Sequence, residues 1–334
     1  MATLGAAYPT LLDVTRAKDP NGQVAAVAEI LSQVNPILDD MPIVEGNLET
    51  GHRSVIRSGL PTPTWRKLYG GVIPTKSSRV QVTDTCGMLE AYAEIDKDLA
   101  NLGGQAKAFR VSEDAAHIEG MSQELSSTLF FGNEANEPEA FTGFAPRFNS
   151  QSAENGGNIL TSAATPDGTD NSSIWLIGWG KNVHGIVPKG SIGGIHMQDL
   201  GEMRCGDATN GYYQGYVTHY QWKMGLCVAD WRYVVRIQID QENLESTVSS
   251  GPNLIDLMGE AIDLIPNLSG CNPVFYANRA VRGYLRRQIM NKVAGSTLSI
   301  EQIQRASGAL VREPMFDGIP VRRCDALLNN ETGI

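Results

Sequence analysis

The spacing of apolar residues predicts one long helix near the middle of the chain. Over 106–131 they follow a helical period, and Gly132 stands where a C-terminal cap is expected. The stripe predicted to be buried consists of Val111, Ala115, Ile118, Leu125 and Leu129. Gly120 costs about 1 kcal/mol relative to alanine inside a helix, which predicts close packing at that position.

Other segments predict shorter helices and strands. The helical ones are 20–34, 253–265 and 279–291. Asp19 and Pro20 suit the start of the first helix, and Pro36 stops it. Residues before Asp19 have no core pattern, so we expect a polar arm. Runs rich in Val, Ile, Tyr and Trp predict strands. These are a buried strand over 173–179, a hairpin of 212–223 and 226–239 turning at Met224-Gly225, and a turn with a last strand over 315–328. The mixture indicates an α+β fold.

A second predicted hairpin, over 51–82, contains only basic charges. Two strand-like limbs flank a bend rich in Pro and Gly, and the segment has no Asp or Glu. Its basic residues are Arg53, Arg57, Arg66, Lys67, Lys76 and Arg79. The chain as a whole carries a net charge of −10, and residues 83–140 hold twelve acidic side chains against three basic ones. Such segregation indicates a surface that contacts another copy of the chain. The alternative is an edge hairpin with solvated charges.

Composition narrows the class of protein. The 334 residues are 42% hydrophobic and 19% charged, as in folded proteins. We expect neither a membrane span nor a signal peptide, because the long apolar runs of both are absent, and therefore a cytosolic site of synthesis. Five widely spaced cysteines predict reduced thiols. A pI near 5.0 argues against nucleic-acid binding by overall charge, although not against a container for nucleic acid.

No pattern predicts a catalytic, cofactor or metal site. Walker and nucleophile-elbow motifs are absent, and the five histidines lack metal-ligand spacing. A minor alternative is a metal site in which His184, His196 and His219 converge near Cys205. Glu94, Asp96 and Asp98 alternate as cation ligands do, but no calcium loop surrounds them. We expect instead an acidic edge or a partner for the basic hairpin.

Seven segments, in this order, resemble the major capsid proteins of tailed bacteriophages, those of podovirus type in particular. They are Glu94-Ile-Asp-Lys-Asp-Leu, Phe130-Phe-Gly-Asn, Phe141-Thr-Gly-Phe, Ser173-Ile-Trp-Leu-Ile-Gly-Trp-Gly-Lys, Asp230-Trp-Arg-Tyr-Val-Val-Arg-Ile, Tyr276-Ala-Asn-Arg and Phe316-Asp-Gly-Ile-Pro-Val-Arg-Arg-Cys-Asp. The resemblance extends from about 20 to 331 and is specific in its order rather than in any single motif.

The resemblance implies a Hong Kong 97-type capsid fold. Its parts would be an N-terminal arm and helix (1–49), an extended loop (50–100), a peripheral domain with the spine helix (101–148 and 205–245) and an axial domain with a central sheet (149–204 and 246–334). A permuted connection order is left open, because the internal hairpin over 212–239 is the best candidate for the long strands of the peripheral domain.

The resemblance also implies a function. Pentamers and hexamers of the chain would form an icosahedral shell around double-stranded DNA, bound on the inner face without sequence specificity. Scaffolding, portal and decoration proteins would be further partners, and the shell, assembled in the bacterial cytoplasm, would become the capsid of the virion. A nanocompartment shell around protein cargo is the alternative, and an α+β hydrolase a distant one. The predicted subunit interface comprises Arg53, Arg57, Trp65, Arg66, Lys67, Lys76, Arg79, Glu90, Glu94, Asp96 and Asp98.

Overall fold

The computed structural model describes residues 33–101, 106–161, 168–206, 211–240, 244, 254–290, 298–304 and 310–334. Most of the helix predicted over 20–34 lies outside these ranges. Within them, the helices are α1 (Ile37–Asp40), α2 (Lys97–Asn101), α3 (Ala106–Phe131), α4 (Phe144–Arg147), α5 (Leu254–Leu264) and α6 (Arg279–Met290). None of the helices in these ranges has the length and apolar character needed to cross a bilayer.

The described strands form two sheets. In chain order they are β1 (Ile43–Glu45), β2 (Gly51–Gly59), β3 (Ser78–Asp96), β4 (Ile159–Thr161), β5 (Asn171–Trp179), β6 (Val183–Val187), β7 (His196–Gly206), β8 (Tyr212–Val228), β9 (Val234–Asp240), β10 (Asn272–Ala277), β11 (Leu298–Gln304), β12 (Leu310–Phe316) and β13 (Ile319–Arg323). The first sheet has the order β1-β6-β8-β3-β2, with β7 also paired to β8, and the second has the order β11-β12-β13-β10-β5-β9-β4.

Strand β8 corrects the predicted internal hairpin. The chain does not turn at Met224-Gly225, because β8 continues through both residues and pairs there with β3. Gly225 serves a close approach of two strands instead: a Cβ atom on it would lie 2.4 Å from the carbonyl oxygen of Thr85. The chain turns only at 229–233, and β9 then joins the second sheet, where it pairs with β4 and β5. The prediction of one hairpin over 212–239 is therefore wrong.

Four predicted elements are confirmed with small changes at their ends. The strand predicted over 173–179 is β5, and its nine residues are all buried. Helices α5 and α6 occupy the two later helical segments. The predicted C-terminal turn is also present: Asp317 and Gly318 have φ angles of 48° and 76°, as a tight two-residue hairpin requires, and they join β12 to β13.

Helix α3 has the predicted bounds, but its buried face is only partly the predicted one. Leu125 and Leu129 are buried, and Phe130 packs against Phe144 and Trp175 with ring centroids 6.1 and 6.2 Å apart. This half of the helix therefore joins the second sheet to β3 and β8.

In the first half of α3 the predicted stripe is wrong. Val111, Ala115 and Ile118 are exposed, whereas Phe109 is the buried apolar side chain of this half of the helix and belongs to a second, smaller core cluster. The close packing expected at Gly120 is also absent, because no atom of the described residues lies within 4 Å of a Cβ placed there.

Candidate assembly surface

The basic hairpin is formed by β2 and the first part of β3. The two strands pair from Gly51 opposite Thr85 to Gly59 opposite Ser78, so Arg57 and Arg79 stand directly opposite each other. Two like charges in a cross-strand pair repel. An external acidic group between the two guanidinium groups would therefore offset this repulsion.

The tip of the hairpin, residues 60–77, exposes its apolar side chains. A turn lies at its end, where the Gly70 amide donates to the Lys67 carbonyl oxygen at 3.0 Å. Trp65 and Tyr69 are fully exposed, at 102% and 104% of their reference areas. The other large apolar side chains exposed here are Leu60, Leu68, Val72 and Ile73. Contiguous exposed apolar area of this kind marks a binding surface.

The six basic side chains of the hairpin make no salt bridge within the described part of the subunit. The Arg53 guanidinium donates to the Thr83 hydroxyl at 3.4 Å, which is a contact within the hairpin itself. The base of the hairpin is fixed, because the Asn47 side chain bonds the Arg53 amide and carbonyl at 2.7 and 2.8 Å. A fixed base with uncompensated charges at its outer part fits an arm that reaches a neighbour.

The four acidic residues predicted to receive the hairpin lie at the other end of β3 and in α2. Glu90 accepts hydrogen bonds from Gln221 and His219, and the bond from Gln221 is the main reason that its pKa is lowered. Tyr213 donates to Glu94 at 3.3 Å. Asp96 accepts from the Asp98 amide at 2.8 Å, at the start of α2. Three of the four acids thus have partners within the subunit, and the two exposed ones are Glu90 and Asp98.

A second acidic region was missed by the sequence reasoning. The loop after α3 exposes Glu134, Glu137 and Glu139. Glu137 and Glu139 border a groove whose floor includes the apolar side chains of Leu125, Phe141 and Trp222. The excess of acids over 83–140 was the available signal, but only the fold places these carboxylates beside an apolar groove.

The histidines do not converge as the alternative metal site required. His184 stands opposite Cys227, His219 opposite Gln198, and Cys205 opposite Tyr213. Eight residues of β8 separate the position of His219 from that of Cys227, which is roughly 27 Å at about 3.4 Å per residue. That prediction is wrong. His219 instead stacks on Tyr92 at 4.4 Å between ring centroids.

Comparison with known proteins identifies the family of the chain. The family model described as major capsid protein GP7 matches residues 19–334. A chain in the structure of bacteriophage Epsilon15 is 33% identical, with a TM-score of 0.76 and 99% of each chain covered. The capsid of bacteriophage JBD30 is 8% identical, with a TM-score of 0.49 over 92% of this chain and 97% of that one. No curated protein matches the chain.

The extended hairpin, the long helix and the two sheets thus define a capsid subunit of the Hong Kong 97 type. The chain belongs to the major capsid protein GP7 family and is the major capsid protein of a tailed bacteriophage.

Proposed function

We propose that the basic hairpin of each subunit binds the acidic groove of a neighbouring copy, and that this contact sets the register of the shell. The observation that carries the proposal is one arm that combines an exposed apolar tip with six cations lacking a salt bridge among the described residues. An isolated two-stranded hairpin is only marginally stable in water, so a partner surface is expected. The groove bordered by Glu137 and Glu139 offers the complementary charge.

The apolar tip supplies the surface area that is buried on binding, and the cations orient the hairpin on the neighbouring subunit. An aromatic side chain buries about 150–250 Å², which at about 25 cal/mol per Å² corresponds to about 4–6 kcal/mol before the costs of association. Exposed charges steer encounter and disfavour wrong registers more than they add affinity. Each contact can stay weak, because many contacts close together in one particle.

The exposed half of α3 is a further candidate for contact between subunits. Val111 and Ile118 lie on the surface of the isolated subunit, at 67% and 38% exposure. They would be covered if a neighbour packed along this helix.

We extend the proposal to the whole particle. Hexamers and pentamers form an icosahedral shell that encloses double-stranded DNA without sequence specificity. Scaffolding, portal and decoration proteins are proposed partners, and assembly takes place in the cytoplasm of the bacterial host. The division into peripheral and axial domains and the permuted connection order remain predictions. This role needs no catalytic step, so we propose that the chain is not an enzyme.

The test reverses charge on the hairpin. Arg57→Glu with Arg66→Glu should leave the subunit folded and greatly reduce particle yield in electron microscopy and sedimentation. The matched control is Lys181→Glu with Lys189→Glu, which changes the net charge equally at two exposed positions outside the hairpin. Normal particle yield from the hairpin variant would refute the role of the hairpin.

A charge exchange identifies the acceptor. Glu137→Arg with Glu139→Arg, added to the hairpin variant, should restore particle yield if the groove receives the hairpin. Rescue by Glu94→Arg with Asp98→Arg instead would assign the acceptor to the far end of β3. Nuclease-resistant DNA inside purified particles is expected, whereas a packaged protein without DNA would favour a nanocompartment.

A further inference from the structure

Four strands bring metal-binding side chains together at the base of the hairpin. His52 on β2 stands directly opposite Asp84 on β3, and His184 on β6 stands directly opposite Cys227 on β8. Strands β3 and β8 are also neighbours, with Cys86 opposite Gly225. The same register, continued by two residues, places Asp84 beside Cys227. The four side chains therefore form one row across four adjacent strands.

The sheet curls at this row, so that β2 and β6, the outer two of these four strands, come into contact. Across a flat sheet, β2 and β6 would be separated by three strand spacings, or about 14 Å. Instead, the two strands are in contact, and the rings of His52 and His184 lie 6.0 Å apart between centroids. Gly46 lies between the two strands, since a Cβ on it would be 2.4 Å from the Gly51 carbonyl oxygen of β2 and 2.9 Å from the Val187 carbonyl oxygen of β6.

The ligand atoms of His52, His184 and Cys227 all lie within 4.8 Å of one another. Bonds of about 2.0–2.3 Å in a tetrahedral zinc site place ligand atoms about 3.3–3.8 Å apart. Small side-chain rotations bring the three ligands to this spacing.

Two of the three ligands are buried, and three polar atoms of the cluster lack partners among the described residues. His184 is 7% exposed and Cys227 is fully buried. The Nδ1 atoms of both histidines have no hydrogen-bond partner in the described part of the chain, and neither does Oδ2 of Asp84. A buried polar atom without a partner costs about 1–3 kcal/mol. Three such atoms around one thiol are costly for a cluster with only a structural role.

The backbone orients the His184 ring. Backbone hydrogen bonds at Gly180 and Lys181 hold the His184 ring from its other nitrogen. Such a contact orients metal-binding histidines in general.

We propose that His52, His184 and Cys227 bind a zinc ion, with Asp84 or a water molecule as the fourth ligand. Two imidazoles and a thiolate are the ligands that zinc prefers, whereas calcium and magnesium prefer oxygen. Zinc binds the thiolate form of Cys227, so its binding displaces the thiol proton to solvent. The ion would join the base of the hairpin to β6 and β8.

The Asp84 carboxylate also pairs with Arg147, from α4, at 2.8 Å. The guanidinium compensates part of the negative charge that a thiolate and a carboxylate bring to the site. It also holds Oδ1 of Asp84, which leaves Oδ2 available to the ion.

The test uses the purified full-length subunit, exchanged into metal-free buffer and titrated with zinc chloride. We expect one zinc per subunit by elemental analysis and a rise in melting temperature that a chelator reverses. Cobalt chloride in place of zinc should give the absorption bands of a tetrahedral cobalt–thiolate complex. A folded subunit that retains no stoichiometric zinc and gives no cobalt bands would refute the site.

Variants assign the ligands. Cys227→Ser should abolish the cobalt–thiolate bands and weaken zinc binding at least 100-fold, whereas Cys271→Ser, as the matched control, should change neither. If Cys227→Ser does not fold, His52→Gln at the half-buried ring gives the same test, with His219→Gln as control. Asp84→Asn should weaken binding by about 10–100-fold, as expected for an outer partner or a fourth ligand. Unchanged binding in Cys227→Ser or in His52→Gln would overturn the assignment.

Discussion

Breaking the buried ion pair of Arg236 and Glu331 should greatly lower the free energy of unfolding of the subunit. Arg236 donates to the Glu331 carboxylate at 2.7 Å, and the two side chains are only 6% and 4% exposed. Two further guanidinium N–H groups donate to the Ser173 hydroxyl at 3.0 Å and the Phe148 carbonyl at 2.7 Å, and the group lies 5.1 Å from the centroid of the Trp175 ring. Ser173 in turn donates to Glu331.

We expect Glu331→Gln to destabilise the subunit by about 3–5 kcal/mol. The change removes the compensating charge but leaves the guanidinium buried, because arginine stays protonated at any accessible pH. Burial already lowers the pKa of Arg236, which shows that its charge is costly at this position. The loss would be comparable to a large part of the stability of an ordinary domain, about 5–15 kcal/mol.

Urea unfolding of unassembled subunits, followed by tryptophan fluorescence, measures the effect. The matched control is Asp230→Asn, which breaks the pair with Arg232 at 2.8 Å, where the arginine side chain is 56% exposed. The control should cost about 0–1 kcal/mol. The double variant Arg236→Met with Glu331→Leu, which removes both buried charges, should cost much less than the single change. A loss in Glu331→Gln no larger than in the control would refute the reasoning.

Three further substitutions test the surface of the subunit. Trp65→Ala should leave the melting temperature of the subunit unchanged and weaken assembly by at least tenfold in light scattering, whereas the exposed Ile192→Ala should assemble normally. Gly120→Ala should raise the free energy of unfolding by about 0.5–1 kcal/mol, because no described atom lies near its Cβ position; a loss of stability would contradict this. Arg110 lowers the pKa of Asp199, so this bond should stabilise the subunit above about pH 3.8 and lose its effect as the pH falls further; Asp199→Asn should flatten that part of a melting profile.

Local signals were sufficient for several elements. The bounds of α3 follow from a helical period closed by Gly132, and the Asp317-Gly318 turn follows from two residues that tolerate positive φ. The apolar run of β5 predicts a strand buried on both faces. In each case the residues that determine the structure are neighbours in the chain.

Other predictions failed because the structure at those residues depends on contacts with distant parts of the chain. The pattern around Gly225 indicates a turn, but this glycine faces the Thr85 carbonyl, contributed by a strand about 140 residues earlier. The helical period of α3 is regular along its length, yet only the packing of the sheets determines which turns are covered. Val111 and Ile118 therefore stay exposed although they continue the same period.

The residues of the assembly surface and of the histidine–cysteine cluster show the same difference between local and long-range causes. The charge segregation of the hairpin, the long helix and the buried strand follow from composition and from residue spacing within short segments. Tertiary contacts, by contrast, give Glu90 and Glu94 their partners on β8 and bring His52 to Cys227. The physical reason is that strand pairing joins residues far apart in the chain, and the curl of a sheet then brings together side chains that no local pattern relates.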